Sequence, residues 1–173
     1  MITDKNPIEA LEVRVFEELE IYQAERLAVA QFPLVNRFYQ RCGYSVNCGR
    51  QEVIICVRAI KEGHSPIVAA ARFLPHADGS FVLRNLCVES QQRRKGLARY
   101  LLQNALASLG ENPCYCYAFG HLREFYQSLG FVVRSATQVP EYIAQNYQNY
   151  CHKHRDLLLM SSGTCLNSRS LAP

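Results

Sequence analysis

Between residues 81 and 109 the chain reads FVLRNLCVESQQRRKGLARYLLQNALASL, and its hydrophobic spacing changes once. Positions 81–88 are rich in β-branched and aromatic residues and hold neither Gly nor Pro, which predicts a strand. Positions 89–95 are entirely polar. From Gly96 onward Leu101, Leu102, Ala105, Leu106 and Leu109 recur on one face, the spacing of an amphipathic helix. The rest of the chain is arranged around this strand, basic turn and helix.

Upstream, 11–16 alternates apolar and charged residues and predicts a half-buried strand. Leu19, Tyr22, Leu27 and Ala30, with Glu17 and Glu18 in the first turn, predict a helix over 17–30 that Pro33 ends. A second helix is expected over 34–41, stopping at Gly43. Segment 52–59 (EVIICVRA) is almost continuously apolar, so a strand covered on both faces is expected there. Strands at 67–74 and 81–88, with turns at 61–66 and 75–79, complete an antiparallel meander; Asp78-Gly79 favours the tight reversal. Beyond the central helix, Gly110 and Pro113 end it. The aromatic strand 114–119 then runs parallel to 81–88, because a helix separates the two. Leu122, Phe125, Tyr126 and Leu129 predict a helix over 121–129 with Gly130 at its end. A strand at 131–133, a tyrosine-rich helix at 140–152, a last strand at 156–161 and a loose tail at 162–173 follow. No internal repeat or linker divides the chain, so one α/β (α+β) domain over 1–161 is expected.

Composition narrows the function classes. A net charge of +4 over 173 residues, with basic residues scattered outside 93–99, argues against a nucleic-acid partner. No apolar run reaches the length of a membrane span, and the acidic N-terminus is unlike a signal peptide, so a soluble, cytoplasmic protein is expected. Of the eight cysteines, Cys56 and Cys87 fall in apolar strand patterns and behave as small hydrophobes. Without a secretory signal a disulfide framework is not expected. Cys114, Cys116, Cys151, His152 and His154 supply zinc-ligand types at a spacing that matches no familiar structural site, so no metal is expected.

The chemistry lies at the strand–helix junction. The first turn of a helix has amides without intrahelical partners, and the dipole adds positive character there. Gly96 lets a ligand approach the backbone closely. Arg93, Arg94 and Lys95 stand beside it. Together these make an anion site suited to phosphate; the plainer reading is a solvated basic loop.

Two segments then resemble the GNAT N-acetyltransferase superfamily, and the resemblance extends over roughly 11–161. Arg93-Arg94-Lys95-Gly96-Leu97-Ala98, after the strand Leu86-Cys87-Val88, is similar to that family's phosphate loop. Phe125-Tyr126-Gln127-Ser128-Leu129-Gly130-Phe131 is similar to its FYxxxGF segment. Their order, their spacing and the strand between them make the pair specific.

The resemblance implies a GNAT-like mixed, mostly antiparallel central sheet with a splayed parallel strand pair and helices on both faces. It implies acetyl-CoA as cosubstrate, held by Leu86, Cys87, Val88, Arg93, Arg94, Lys95, Gly96, Leu97, Ala98 and Arg99. The pantetheine arm would pair with Leu86–Val88 as an added strand. The Val88 N–H would polarise the thioester. An amine would attack directly, and Tyr126 would protonate the departing thiolate; as packing, Tyr126 would simply accompany Phe125 on its helix. The strand 81–85 offers no carboxylate as general base, leaving Glu20, His121 and Glu141 as candidates; Glu89 reads as a loop residue. Cys87 is read as packing, since no nearby His supports a covalent route.

The leading expectation is therefore an N-acetyltransferase acting on a small-molecule or peptide amine. A GNAT-like module that binds CoA or another ligand without turnover is the alternative from a different class. The acceptor would be set by 17–50 together with 134–155, which holds Tyr142, Tyr147, Tyr150, His152 and His154. A homodimer through a sheet edge is a further expectation.

Overall fold

The computed structural model describes residues 20–163. The strand expected at 11–16 and nearly all of the expected tail lie outside the described residues. Seven strands form one sheet: β1 (Ile21–Arg26), β2 (Val53–Ile60), β3 (Ile67–Pro75), β4 (Phe81–Val88), β5 (Cys114–Phe119), β6 (Val132–Val133) and β7 (Leu157–Ser162). Among the described residues four α-helices join them: α1 (Phe32–Arg41), α2 (Leu97–Leu109), α3 (Arg123–Gln127) and α4 (Glu141–Cys151). The strand order is β1-β2-β3-β4-β5-β7-β6, antiparallel except for the β4–β5 pair.

The apolar run of β2 has a simple cause: both of its faces are covered. Val53, Ile55, Val57 and Ala59 enter a core with α2 and α3, whereas Ile54 and Cys56 enter a second core with α1. A third cluster, of Val82, Tyr115, Ile143 and Leu159, packs α4 on the α1 side of the sheet. The sheet is thus sandwiched, α2 and α3 against one face, α1 and α4 against the other.

Three expectations are corrected. The α-helix expected over 17–30 is absent from its described part, 20–30: Ile21–Arg26 is strand β1, paired antiparallel to β2 from Ile21↔Ile60 to Arg26↔Ile55. Tyr22 and Ala24 alternate toward the α2 core, and the β2 edge supplies backbone partners that outweigh local helical spacing. Pro33 does not break a helix but sits in the first turn of α1, where its missing N–H costs nothing. Ser162 belongs to β7 and not to the tail.

Two irregularities in β4 shape the site. The strand has eight residues, yet only Phe81↔Cys114 and Val82↔Tyr115 pair with β5; beyond them the two strands diverge. On the other edge, Arg72 pairs with Arg84 and Ala70 with Cys87, so one residue of β3 opposes two of β4. This is a β-bulge, and Asn85 within it has φ +50°. Asn tolerates the left-handed region better than most residues, and its neighbours hold it there. The Tyr39 hydroxyl donates to the Asn85 carbonyl at 2.8 Å, and Arg72 Nη1 donates to Asn85 Oδ1 at 3.0 Å.

Candidate functional site

Where β4 leaves β5, a cleft of about 800 Å³ opens between the end of β4, the start of α2, and α3. Leu86, Cys87, Val88, Arg93, Arg94, Gly96, Leu97, Ala98, Arg99 and Tyr126 all line it. The structure therefore gathers these ten predicted site residues on one surface. Lys95 is not among them. Its ammonium pairs with the Glu20 carboxylate and lies 3.5 Å from the Tyr22 hydroxyl, tying the basic loop to the β1 edge.

The loop is bent by two left-handed residues, Arg94 at φ +65° and Gly96 at φ +78°. A non-glycine residue in that region is strained, and such strain concentrates at ligand sites. The first helical hydrogen bond runs from the Tyr100 N–H to the Gly96 carbonyl at 3.0 Å, so the amides of 97–99 have no acceptor within the helix. A Cβ built on Gly96 meets nothing within 4 Å; the space over those amides is open. Arg99 spans the cleft, donating to Ser128 Oγ at 2.8 Å and bracing α2 against the end of α3.

The end of β4 presents backbone to the same cleft. The Glu89 N–H donates to the Val68 carbonyl at 2.9 Å. Successive residues of a strand direct their amides to opposite edges, so the Val88 N–H points toward the gap left by β5. The Val88 carbonyl accepts a hydrogen bond from Arg93 Nε at 3.1 Å.

Tyr126 forms part of the cleft floor. It is 7% exposed and packs edge-on against Phe125 and Phe131, at centroid distances of 5.1 and 5.4 Å. Tyr126 thus packs in the α2 core and also lines the cleft. Its hydroxyl has no hydrogen-bond partner among the described residues. Burial raises its pKa above the ordinary phenol value, with Cys116 and Cys114 adding to the effect.

The candidate bases fare unequally. Glu20 is held below the usual carboxylate range by the Lys95 ammonium and the Tyr22 hydroxyl. Glu89 is not simply solvated: it pairs with Arg41 at 3.0 Å. Glu141 is exposed at the start of α4, on the opposite face of the sheet. Of the three candidates His121 alone lines the cleft, stacked beside Phe119 at 5.9 Å. No Asp or Glu lines the cleft among the described residues.

Burial, with Cys42 beside it, lifts the Cys87 thiol to about 12 and keeps it un-ionised. Cys114 and Cys116 sit in the α2 core, while Cys151 is on α4 across the sheet. No group of three potential metal ligands exists among the described residues. Tyr44, Gln92, Leu122 and Phe125 also line the cleft. Sequence reasoning did not single out Tyr44, which comes from the loop after α1 and reaches the cleft only through folding.

Residues 52–133 match the family model of the acetyltransferase (GNAT) domain. The chain has the GNAT fold and resembles that superfamily. Escherichia coli ElaA shares 21% identity at a TM-score of 0.55, covering 83% of this chain and 99% of its own. The ribosomal-protein-S18-alanine N-acetyltransferase of Escherichia coli superposes with a TM-score of 0.58 at 16% identity, over 88% of this chain and 100% of its own. N-acetylglutamate synthase from Neisseria gonorrhoeae, solved with coenzyme A and N-acetyl-glutamate, gives 0.55 at 15% identity over 82% of this chain and 35% of that one. No curated protein sequence matches the chain. At such identities the likeness establishes the GNAT fold. Apart from Tyr44, the residues that line the cleft at the β4–β5 splay lie within the matched 52–133 segment. Among the described residues, no helix is long and apolar enough to cross a membrane.

Proposed function

We propose that the protein is an acetyl-CoA-dependent N-acetyltransferase that moves the acetyl group to a primary amine by direct attack on the thioester. The observation that carries this reading is the sharing of one cleft by three groups: the unpartnered amides of α2, the Val88 N–H and the unpartnered Tyr126 hydroxyl.

The residues present fit the cosubstrate. Gly96 leaves open space over the α2 amides, and Arg93, Arg94 and Arg99 surround it with fixed positive charge; a pyrophosphate suits such a cradle. The free edge of Leu86–Val88 suits an extended pantetheine amide chain. Acetyl-CoA supplies the acyl group as an activated thioester. The protein supplies position and electrostatics. The Val88 N–H, aimed into the gap, stabilises negative charge on the carbonyl oxygen as the amine adds. Burial keeps Tyr126 protonated; because a thiol at about 8.5 is a stronger acid than a phenol at about 10, it gives that proton to the leaving thiolate only when held against the sulfur as the C–S bond breaks. Among the described residues no carboxylate lines the cleft to take the amine's own proton, so the acceptor reacts as the free amine, with its proton passing to solvent or to His121. A purely ligand-binding role would leave the Tyr126 hydroxyl without a task.

Acetyl-CoA titration followed by thermal unfolding, with thiol release over an amine panel, tests the reading. A raised Tm and amine-dependent thiol release are expected. Absence of any acetyl-CoA binding would overturn it.

A further inference from the structure

β2, β3 and β4 each carry one arginine, and the three are treated differently. Arg58 is neutralised by Glu25 at 2.5 Å, and Arg72 by a two-point contact with Glu52. Arg84 meets no carboxylate among the described residues: its half-buried side chain makes no ion pair or hydrogen bond with them, lies over the ring of Tyr150 at 5.7 Å from the centroid, and acts by its charge on the Tyr117 phenol. A half-buried cation without a counter-ion is costly unless something supplies one.

Its position says what that something is. Val82 pairs with Tyr115 before the strands part. Two residues further on, Arg84 in β4 and Tyr117 in β5 would be the next partners on the same face, had the strands stayed together. They flank the mouth of the splay on the α1–α4 side, opposite the cleft on the α2–α3 side. Tyr117 is fixed there by donation to the Ile143 carbonyl at 3.1 Å, with the Tyr147 and Tyr150 rings beside it at 6.2 and 5.3 Å. Arg84 packs over the Tyr150 ring, and that ring lies against Tyr117, so the cation and the two phenols stand together on this side of the splay. Four strand residues, roughly 13 Å at about 3.3 Å each and less after the bulge, separate Arg84 from Val88.

We propose that Arg84 binds an anionic group, a carboxylate or phosphate, on the amine acceptor, with Tyr117 and Tyr150 forming the walls of that subsite. This rests on the acetyltransferase reading and names its substrate class: amines that carry an anion at a distance from the nitrogen. A guanidinium suits such a group because it offers paired donors in one plane, and the low local polarity strengthens the contact.

The test compares matched acceptors on the full chain with acetyl-CoA: glycine, β-alanine, γ-aminobutyrate and ε-aminohexanoate against their carboxamides, and phosphoethanolamine against ethanolamine. At least one anionic acceptor should exceed its neutral counterpart about tenfold in kcat/KM. Arg84→Gln should erase that margin through KM, with acetyl-CoA affinity unchanged, and Arg84→Lys should restore part of it. Calorimetric titration of the same compounds into the CoA-bound protein reads binding without turnover. The inference is overturned if no anionic compound binds or reacts better than its neutral partner, or if Arg84→Gln leaves the preference intact. Loss of acetyl-CoA binding by the unsubstituted protein would instead sink the acetyltransferase reading.

Discussion

Arg72 reaches Asn85 across the β3–β4 bulge, Nη1 to Oδ1 at 3.0 Å, while its other nitrogens grip Glu52 at 2.7 and 2.6 Å. Arg72 and Glu52 are 13% and 12% exposed at their side chains. The pair anchors the bulge, and the bulge turns Leu86–Val88 toward the cleft. Removing Arg72 strands a nearly buried carboxylate, which costs several kcal/mol at such sites. Arg72→Met should therefore lower stability by about 2–4 kcal/mol, on the order of 10 °C in Tm. Asn85→Gly, which keeps the left-handed backbone without strain, should cost far less than Asn85→Val; thermal unfolding of the three variants checks the order.

Gly96 separates folding from binding. Its left-handed φ makes any L-residue there unfavourable by about 1–2 kcal/mol, yet an added Cβ touches no protein atom. Gly96→Ala should fold, with a modest Tm loss, and bind acetyl-CoA at least tenfold more weakly. Calorimetry on the folded variant reads this directly; unchanged affinity would mean that the ligand does not lie over the α2 amides.

Tyr126→Phe removes a hydroxyl that no described group bonds, so stability should change little. If Tyr126 protonates the leaving thiolate, kcat should fall by about 10²-fold or more while acetyl-CoA affinity stays within about twofold. A kcat loss below about threefold would reduce Tyr126 to packing.

The basic loop divides by partner. Lys95 is tied to Glu20, whereas Arg93 lines the cleft and bonds the Val88 carbonyl. Lys95→Ala should weaken acetyl-CoA binding less than Arg93→Ala does, and the salt dependence of affinity should flatten more for the arginine variant. Side-by-side titrations at two ionic strengths decide this.

Alkaline pH should destabilise the fold. Burial lifts the thiols of Cys56, Cys87 and Cys114 from 9.0 to about 12 and the Tyr117 phenol from 10.0 to about 12. These groups stay protonated in the folded chain while the unfolded chain loses their protons. The unfolded state thus binds fewer protons, and stability falls as pH rises. The contribution is intact below pH 9 and lost progressively toward pH 12. Urea midpoints measured from pH 8 upward should decline across that window; a flat profile would contradict the burial.

Much of the architecture was legible because periodicity records burial. The doubly covered β2, the α2 stripe and the tight Asp78-Gly79 reversal all followed from spacing. The 17–30 segment did not: its apolar residues satisfy a helix about as well as a strand, and the choice fell to the open edge of β2. Pro33 is ambiguous for a related reason, since a proline marks a helix start as readily as an end. At the site, motif order picks out the loop 93–98 and Tyr126, and the structure brings Gly96, the arginines around it and Tyr126 to one cleft. The Lys95–Glu20 pair was not legible, because its two residues are 75 positions apart.

By itself the sequence determined the order of elements from α1 onward, the phosphate-suited turn and the tyrosine after it, because these depend on neighbours within a few residues. Only the tertiary structure decided where β4 parts from β5, which edge the Val88 amide faces, which arginine keeps a carboxylate and which does not. Those outcomes depend on register and on contacts between distant strands. A strand arginine looks the same in sequence whether or not a glutamate from elsewhere in the chain reaches it, and so Arg84 stands out only in the folded sheet.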